Sequence, residues 1–220
     1  MVDWLDRWRK GTTGWHRSDI NPQLIKNINQ FTKARTKKIF VPLCGASLDM
    51  IYLIDQGFHV VGVELSSLAI DRFFKENQIE HKVSKVEDFD LYQGKNIDIY
   101  CGDFFKLKKN YLNGASCVYD RAALIALNPD LQKKYARHLK EILPNSSKIL
   151  LLTMFYPQNE MEGPPFSVGD DNVEELFSEF KEIKKIKRRN EFLLFAPNLT
   201  MNLTYLCSGD IKVIYFFNYN

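Results

Sequence analysis

Ile39–Glu64, IFVPLCGASLDMIYLIDQGFHVVGVE, decides the fold of this chain. Ile39 to Val41 is a short apolar run that ends in a tight turn holding Pro42, Cys44 and Gly45. From Ser47 to Gln56 the apolar residues fall at helical spacing, and Gly57 stands where a helix should stop. A second apolar run, His59 to Val63, ends in Glu64. Strand, glycine turn, helix, strand and carboxylate form the first βαβ unit of a nucleotide-binding α/β sheet. A carboxylate about 20 residues past the turn glycine is placed to accept hydrogen bonds from a ribose. The plainer alternative is a solvated acid that merely closes a strand.

The turn chemistry narrows the cofactor. A dinucleotide needs G-x-G-x-x-G, because its pyrophosphate must approach the backbone at a helix N-terminus. This turn has one glycine, Gly45, followed by Ala46 and Ser47, and no G-x-x-x-x-G-K-[ST] occurs in the chain. A single-glycine turn with an acidic ribose partner suits an adenosine cofactor without phosphates. S-adenosylmethionine is the expected one.

Composition sets outer limits. A chain of 220 residues is long enough for one domain with a filled core. Its net charge of +3 gives no case for a nucleic-acid or membrane partner. The four cysteines, Cys44, Cys101, Cys117 and Cys207, form no C-x-x-C pair, so neither a zinc site nor a disulfide scaffold is indicated. The charged start MVDWLDRWRKG lacks an apolar signal core, and no apolar run approaches the roughly 20 residues of a bilayer span. A cytoplasmic location is expected.

Outward from the central unit, residues 1–36 read as a helical arm and residues 37–220 as the alternating core. All three tryptophans, Trp4, Trp8 and Trp15, fall in the arm. Trp4 and Trp8 share one helix face, and Gly11 and Gly14 break that helix. Asn21-Pro22 starts a helix whose expected buried face is Leu24, Ile25, Ile28 and Phe31. In the core, Ser66 can cap a helix to about Asn77. Strands are expected at Ile97–Cys101, Cys117–Tyr119 and Lys148–Phe155, with an Asn128-Pro129 helix before the last. Asp171-x-x-Glu174 resembles a capping box, and two late strands fit Glu191–Phe195 and Ile211–Phe217. The basic run Lys181–Arg189 reads as a charged edge that resists aggregation.

Polar groups sit at three strand ends: Glu64, Asp103 and the pair Asp120-Arg121. Ligands of an open parallel α/β sheet bind outside the carboxyl ends of its strands. Glu64, Asp103 and Arg121 should therefore converge on one crevice floored by Leu43 and Gly45. Asp120 and Arg121 could alternatively form a structural ion pair.

The chain resembles the thiopurine S-methyltransferase family, bacterial members above all. The likeness rests on WLDRWRKGTTGWH (Trp4 to His16), VPLCGASLDM (Val41 to Met50) and VVGVELS (Val60 to Ser66). It continues through CGDFF (Cys101 to Phe105), YDRAALIALNP (Tyr119 to Pro129) and GPPFSV (Gly163 to Val168). The resemblance implies a class I S-adenosylmethionine-dependent methyltransferase fold. That fold is Rossmann-like, a mostly parallel seven-stranded sheet with helices on both faces and an N-terminal helical arm. It implies that Trp4, Trp8, Trp15, Leu43, Gly45, Glu64, Asp103 and Arg121 contact the cofactor. Trp15 and Arg121 would also face a small thiol acceptor, with Arg121 the catalytic group.

Two departures bear on the acceptor. Family members usually carry Lys at the Ala46 position and Phe at the Trp15 position. Same-fold alternatives are a methyltransferase for a halide or an oxygen acceptor, or a non-catalytic cofactor-binding protein. A nucleic-acid methyltransferase is disfavoured by the missing N/D-P-P-[YF] and cysteine-nucleophile motifs. A monomer without metal, nucleic-acid or membrane partners is expected.

Overall fold

The computed structural model describes residues 2–31, 36–145, 147–180, 182–189 and 212–218. The first apolar run forms strand β1, Lys38–Val41, and the turn after it opens helix α3, Asp49–Asp55. Ahead of them lie arm helix α1, Trp4–Arg9, and helix α2, Pro22–Asn27. Asn21 caps α2 by accepting from the Gln23 N–H at 2.9 Å, with Pro22 in its first turn. Gly57 ends the α3 segment at φ +81°, a left-handed conformation glycine adopts without a Cβ clash. Strand β2, His59–Glu64, then leads to helix α4, Ser67–Glu76, capped by the Ser66 hydroxyl as expected.

Next come strands β3, His81–Val86, β4, Phe89–Gly94, and β5, Ile97–Cys101. Strand β6, Cys117–Arg121, helix α5, Pro129–Ile142, and strand β7, Lys148–Thr153, complete the central units. Helix α6, Asp170–Leu176, and strands β8, Glu182–Arg189, and β9, Lys212–Asn218, close the described chain.

These strands form one sheet of nine, in the order β3-β4-β5-β2-β1-β6-β7-β9-β8. The expected seven-stranded, mostly parallel sheet is present as β5-β2-β1-β6-β7-β9-β8. The β3-β4 hairpin extends it by pairing antiparallel on β5. Five strands from β5 to β7 run parallel, and β9 enters antiparallel against β7.

Side chains alternate across the strands, so each face has its own core. Phe40, Val61, Val63, Val118, Ile149 and Leu151 face α5 and α6. Ile39, Val41, Val60, Tyr119, Leu150 and Leu152 face the other way, toward the arm's Trp8, α2, α3 and α4. Helices thus cover both faces, as expected.

Three local expectations need correction. Ile25 is 46% exposed, because α2 buries Gln23, Leu24 and Asn27 while Ile25 turns outward. Helix α6 is capped by Asn172 accepting from the Gly169 N–H at 3.0 Å, not by Asp171 and Glu174. The strand read to Phe155 ends at Thr153. The charged edge expected at Lys181–Arg189 is present, since that run contains β8, the last strand of the sheet. The strand expected at Glu191–Phe195, and Cys207, lie outside the described residues.

Candidate active site

The site begins at the turn after β1. Its backbone passes through two left-handed residues, Leu43 at φ +46° and Gly45 at φ +54°. Left-handed backbone is strained for leucine, and such strain gathers at ligand sites. The Cys44 N–H donates to the Val63 carbonyl at 3.0 Å, tying the turn to β2. The residue after Arg121, Ala122, is also left-handed at φ +69°. Two strand ends therefore turn sharply at the same edge of the sheet.

Glu64 is no solvated strand end: only 7% of it is exposed. One carboxylate oxygen accepts from the Gly45 N–H and the other from the Ser66 N–H, each at 2.9 Å. Burial raises its pKa, while these N–H donors pull it down. Each oxygen keeps one further lone pair. The sequence pattern marks Glu64 as a ribose partner but carries no sign that it also locks the glycine turn.

Strand periodicity places the rest. Glu64 lies opposite Cys101 in β5, and the Gly102 N–H donates to the Glu64 carbonyl at 2.9 Å. Asp103, two residues beyond Cys101, follows at the same edge of the sheet. It is exposed, and one of its oxygens caps a 3-10 turn through the Phe105 N–H at 2.9 Å. Arg121 ends β6, and alternation sends it to the same face as Tyr119, the face that the arm covers.

The alternative reading of Asp120 and Arg121 as a structural ion pair is not what the structure shows. Asp120 points to the opposite face, fully buried, and accepts from Tyr135 Oη at 2.6 Å and from the Ala123 and Leu124 N–H groups at 3.2 Å. Burial pushes its pKa up to about 6. Among the described residues no carboxylate is within ion-pair distance of Arg121. The guanidinium, half-buried and permanently charged, is free to meet an anion.

The arm roofs this face. Trp8 is buried, and a β-carbon on Gly45 would lie 3.2 Å from its ring. Trp15 meets Trp4 and Trp8 edge-on, at centroid distances of 5.2 and 5.8 Å. The Arg7 guanidinium lies 5.5 Å from the Trp4 ring. His16 packs against Trp8 at 6.3 Å and lies 3.8 Å from the Glu76 carboxylate. Burial lowers its pKa first; Arg72 and, more weakly, Arg121 lower it further, against the opposing pull of Glu76. Ala46 is buried in the core beneath the turn.

Sequence reasoning missed Asp49. Nothing in its spacing singles it out, because its partners come from distant segments. It is buried, and it accepts from the Asn21 N–H at 2.7 Å and from Tyr119 Oη at 2.9 Å.

A buried carboxylate beside a single-glycine turn, roofed by indoles, fits an adenosine cofactor without phosphates. The comparisons with known proteins agree. The model of the family described as Thiopurine S-methyltransferase matches residues 1–205. The chain belongs to the thiopurine S-methyltransferase family. Relatives of that name include one from Nitrosospira multiformis, 45% identical over 84% of each chain. Another, from Bordetella pertussis, is 41% identical over 85% of each.

Among solved structures, a Burkholderia thailandensis 1,6-didemethyltoxoflavin-N1-methyltransferase superposes with a TM-score of 0.62 at 12% identity, covering 99% of this chain and 86% of its own. A methyltransferase from Anabaena variabilis gives 0.60 at 11% identity, covering 100% and 96%. These likenesses establish the fold. The family is one of S-adenosylmethionine-dependent methyltransferases, so the enzyme class and the cofactor expected from the sequence stand.

Proposed function

We propose that this enzyme methylates the sulfur of a small thiol, of aromatic or thiopurine type, or the selenium of its analogue. The observation that carries this reading is Arg121. It is a half-buried guanidinium without an ion-pair partner among the described residues, on the sheet face that the arm covers and near enough to His16 to act on its charge. An anionic acceptor of low hydration suits such a group better than a neutral hydroxyl does.

The cofactor supplies an electrophilic methyl group on a sulfonium. Glu64 would hold the ribose with the lone pairs that Gly45 and Ser66 leave free, and Asp103 would bind beside it. Leu43 and Gly45 form the floor. Trp4, Trp8 and Trp15 exclude water and offer ring faces that tolerate a cation. Methyl transfer is an in-line displacement, so the acceleration comes mainly from holding donor and acceptor aligned. Arg121 would orient and stabilise the thiolate, and Trp15 would shape its pocket. The chain would act as one domain, residues 1–36 serving as the arm of a 37–220 core. We read it as a cytoplasmic monomer that needs no nucleic acid.

Kinetics of Arg121→Ala test this assignment. Turnover of an aromatic thiol should fall by about 10–1000-fold, equal to about 1.4–4 kcal/mol of transition-state stabilisation. Cofactor affinity should fall less. Asp120 keeps its own partners, so the strand end should survive the change, and an unaltered melting temperature would verify that. Lost cofactor binding with normal turnover at saturation would reassign Arg121 to holding the cofactor.

A further inference from the structure

We infer that Asp49 is a positioning residue: it fastens the far end of the aromatic arm to the strand that carries Arg121. The arm's loop, residues 10–20, is pinned at its two ends, and between them His16 also lies 3.8 Å from Glu76 of α4. At its start Trp8 packs on Gly45. At its end the Asn21 N–H donates to Asp49 Oδ1 at 2.7 Å, while Asp49 Oδ2 accepts from Tyr119 Oη at 2.9 Å.

Tyr119 and Arg121 are two residues apart on β6 and point to the same face. One buried carboxylate, 2% exposed, therefore links the start of α2, the sheet and the Arg121 side of the crevice. Between the two end pins lie Gly11 and Gly14, which add backbone freedom, and Trp15 and His16, whose rings pack on Trp8. Cutting the second pin should loosen the roof over the acceptor while leaving the Glu64 turn intact. This inference rests on the proposed thiol acceptor only for its kinetic readout.

The test compares Asp49→Ala and Asp49→Asn with the unaltered enzyme. Asp49→Ala should raise the KM of an aromatic thiol about tenfold and leave kcat nearly unchanged, the pattern of lost substrate positioning. Asparagine can accept from the Asn21 N–H through Oδ1 and donate to Tyr119 through Nδ2, so Asp49→Asn should restore most of the KM. Amide exchange across residues 10–20 should be faster in Asp49→Ala and near normal in Asp49→Asn.

If Asp49→Ala does not fold, a second pair isolates the same bond. Asn21 has φ −63°, which proline accepts. Asn21→Ala and Asn21→Pro both lose the side-chain cap, but only the proline loses the N–H that reaches Asp49. Faster exchange in Asn21→Pro than in Asn21→Ala supports the inference. Equal exchange in that pair, or a melting-temperature loss in Asp49→Ala with unchanged KM and exchange, overturns it. Should the unaltered enzyme methylate no thiol, the acceptor reading fails and the exchange comparison still decides the role of Asp49.

Discussion

Glu64 does two things with one carboxylate. It satisfies the buried N–H groups of Gly45 and Ser66, and in the proposed function its remaining lone pairs hold the ribose. Glu64→Ala should therefore weaken S-adenosylhomocysteine binding, measured by calorimetry, roughly tenfold or more, the worth of a lost charged hydrogen-bond pair of about 1.5–3 kcal/mol. It should also lower the melting temperature, because two backbone donors are left unpaired. Unchanged affinity would remove Glu64 from the cofactor site.

Asp120 makes a different prediction, about pH. Its folded pKa is raised to about 6 from the ordinary 3.8 by burial. Between those values the native state binds the extra proton and the unfolded state does not. Stability from this group is thus full below about pH 4 and is lost as pH rises through about 6, by roughly 3 kcal/mol in all. Asp120→Asn should flatten the urea-stability profile across that window. A profile that keeps its slope in the variant would place the titration elsewhere.

At the scale of elements, what the sequence made legible were the units whose signals are local. Asn21, Ser66 and Asn128 cap α2, α4 and α5 where their spacing places them. The central parallel strands announce themselves as apolar runs buried on both faces. The β3-β4 hairpin does not: β3 is almost wholly exposed, so its residues, HKVSKV, carry no apolar period. Its existence depends on β5 offering an edge, which is a tertiary fact. The Asp49 cluster is hidden for the same reason.

The arm also belongs to this scale, because its roof depends on a glycine. Gly45→Ala places a methyl against Trp8 at a left-handed φ. We expect faster amide exchange across residues 4–16 and weaker cofactor binding, with strand amides unaffected. Exchange identical to that of the unaltered enzyme would show that Trp8 does not rest on this turn in solution.

For the whole molecule, the fold places Glu64, Asp103 and Arg121 at the carboxyl edge of one sheet, and the family follows from motifs spread over residues 1–205. Among the described residues no helix is long and apolar enough to cross a membrane. The acceptor was less legible than the cofactor. The proposed ribose partner, Glu64, and the glycine turn lie on the βαβ unit itself, whereas the acceptor would meet groups from the arm and from distant strand ends. Trp15, whose ring packs on Trp4 and Trp8, belongs to the arm's part of that assembled region. The most direct measurement is methyl transfer itself. The enzyme is incubated with methyl-labelled S-adenosylmethionine and a panel of thiols, selenols, halides and phenols, and the labelled products are identified by mass. Label should appear on the sulfur of aromatic thiols or on selenium, and Arg121→Ala should suppress it. Label confined to halides or phenols, or no transfer to any acceptor despite cofactor binding, would contradict the proposed reaction.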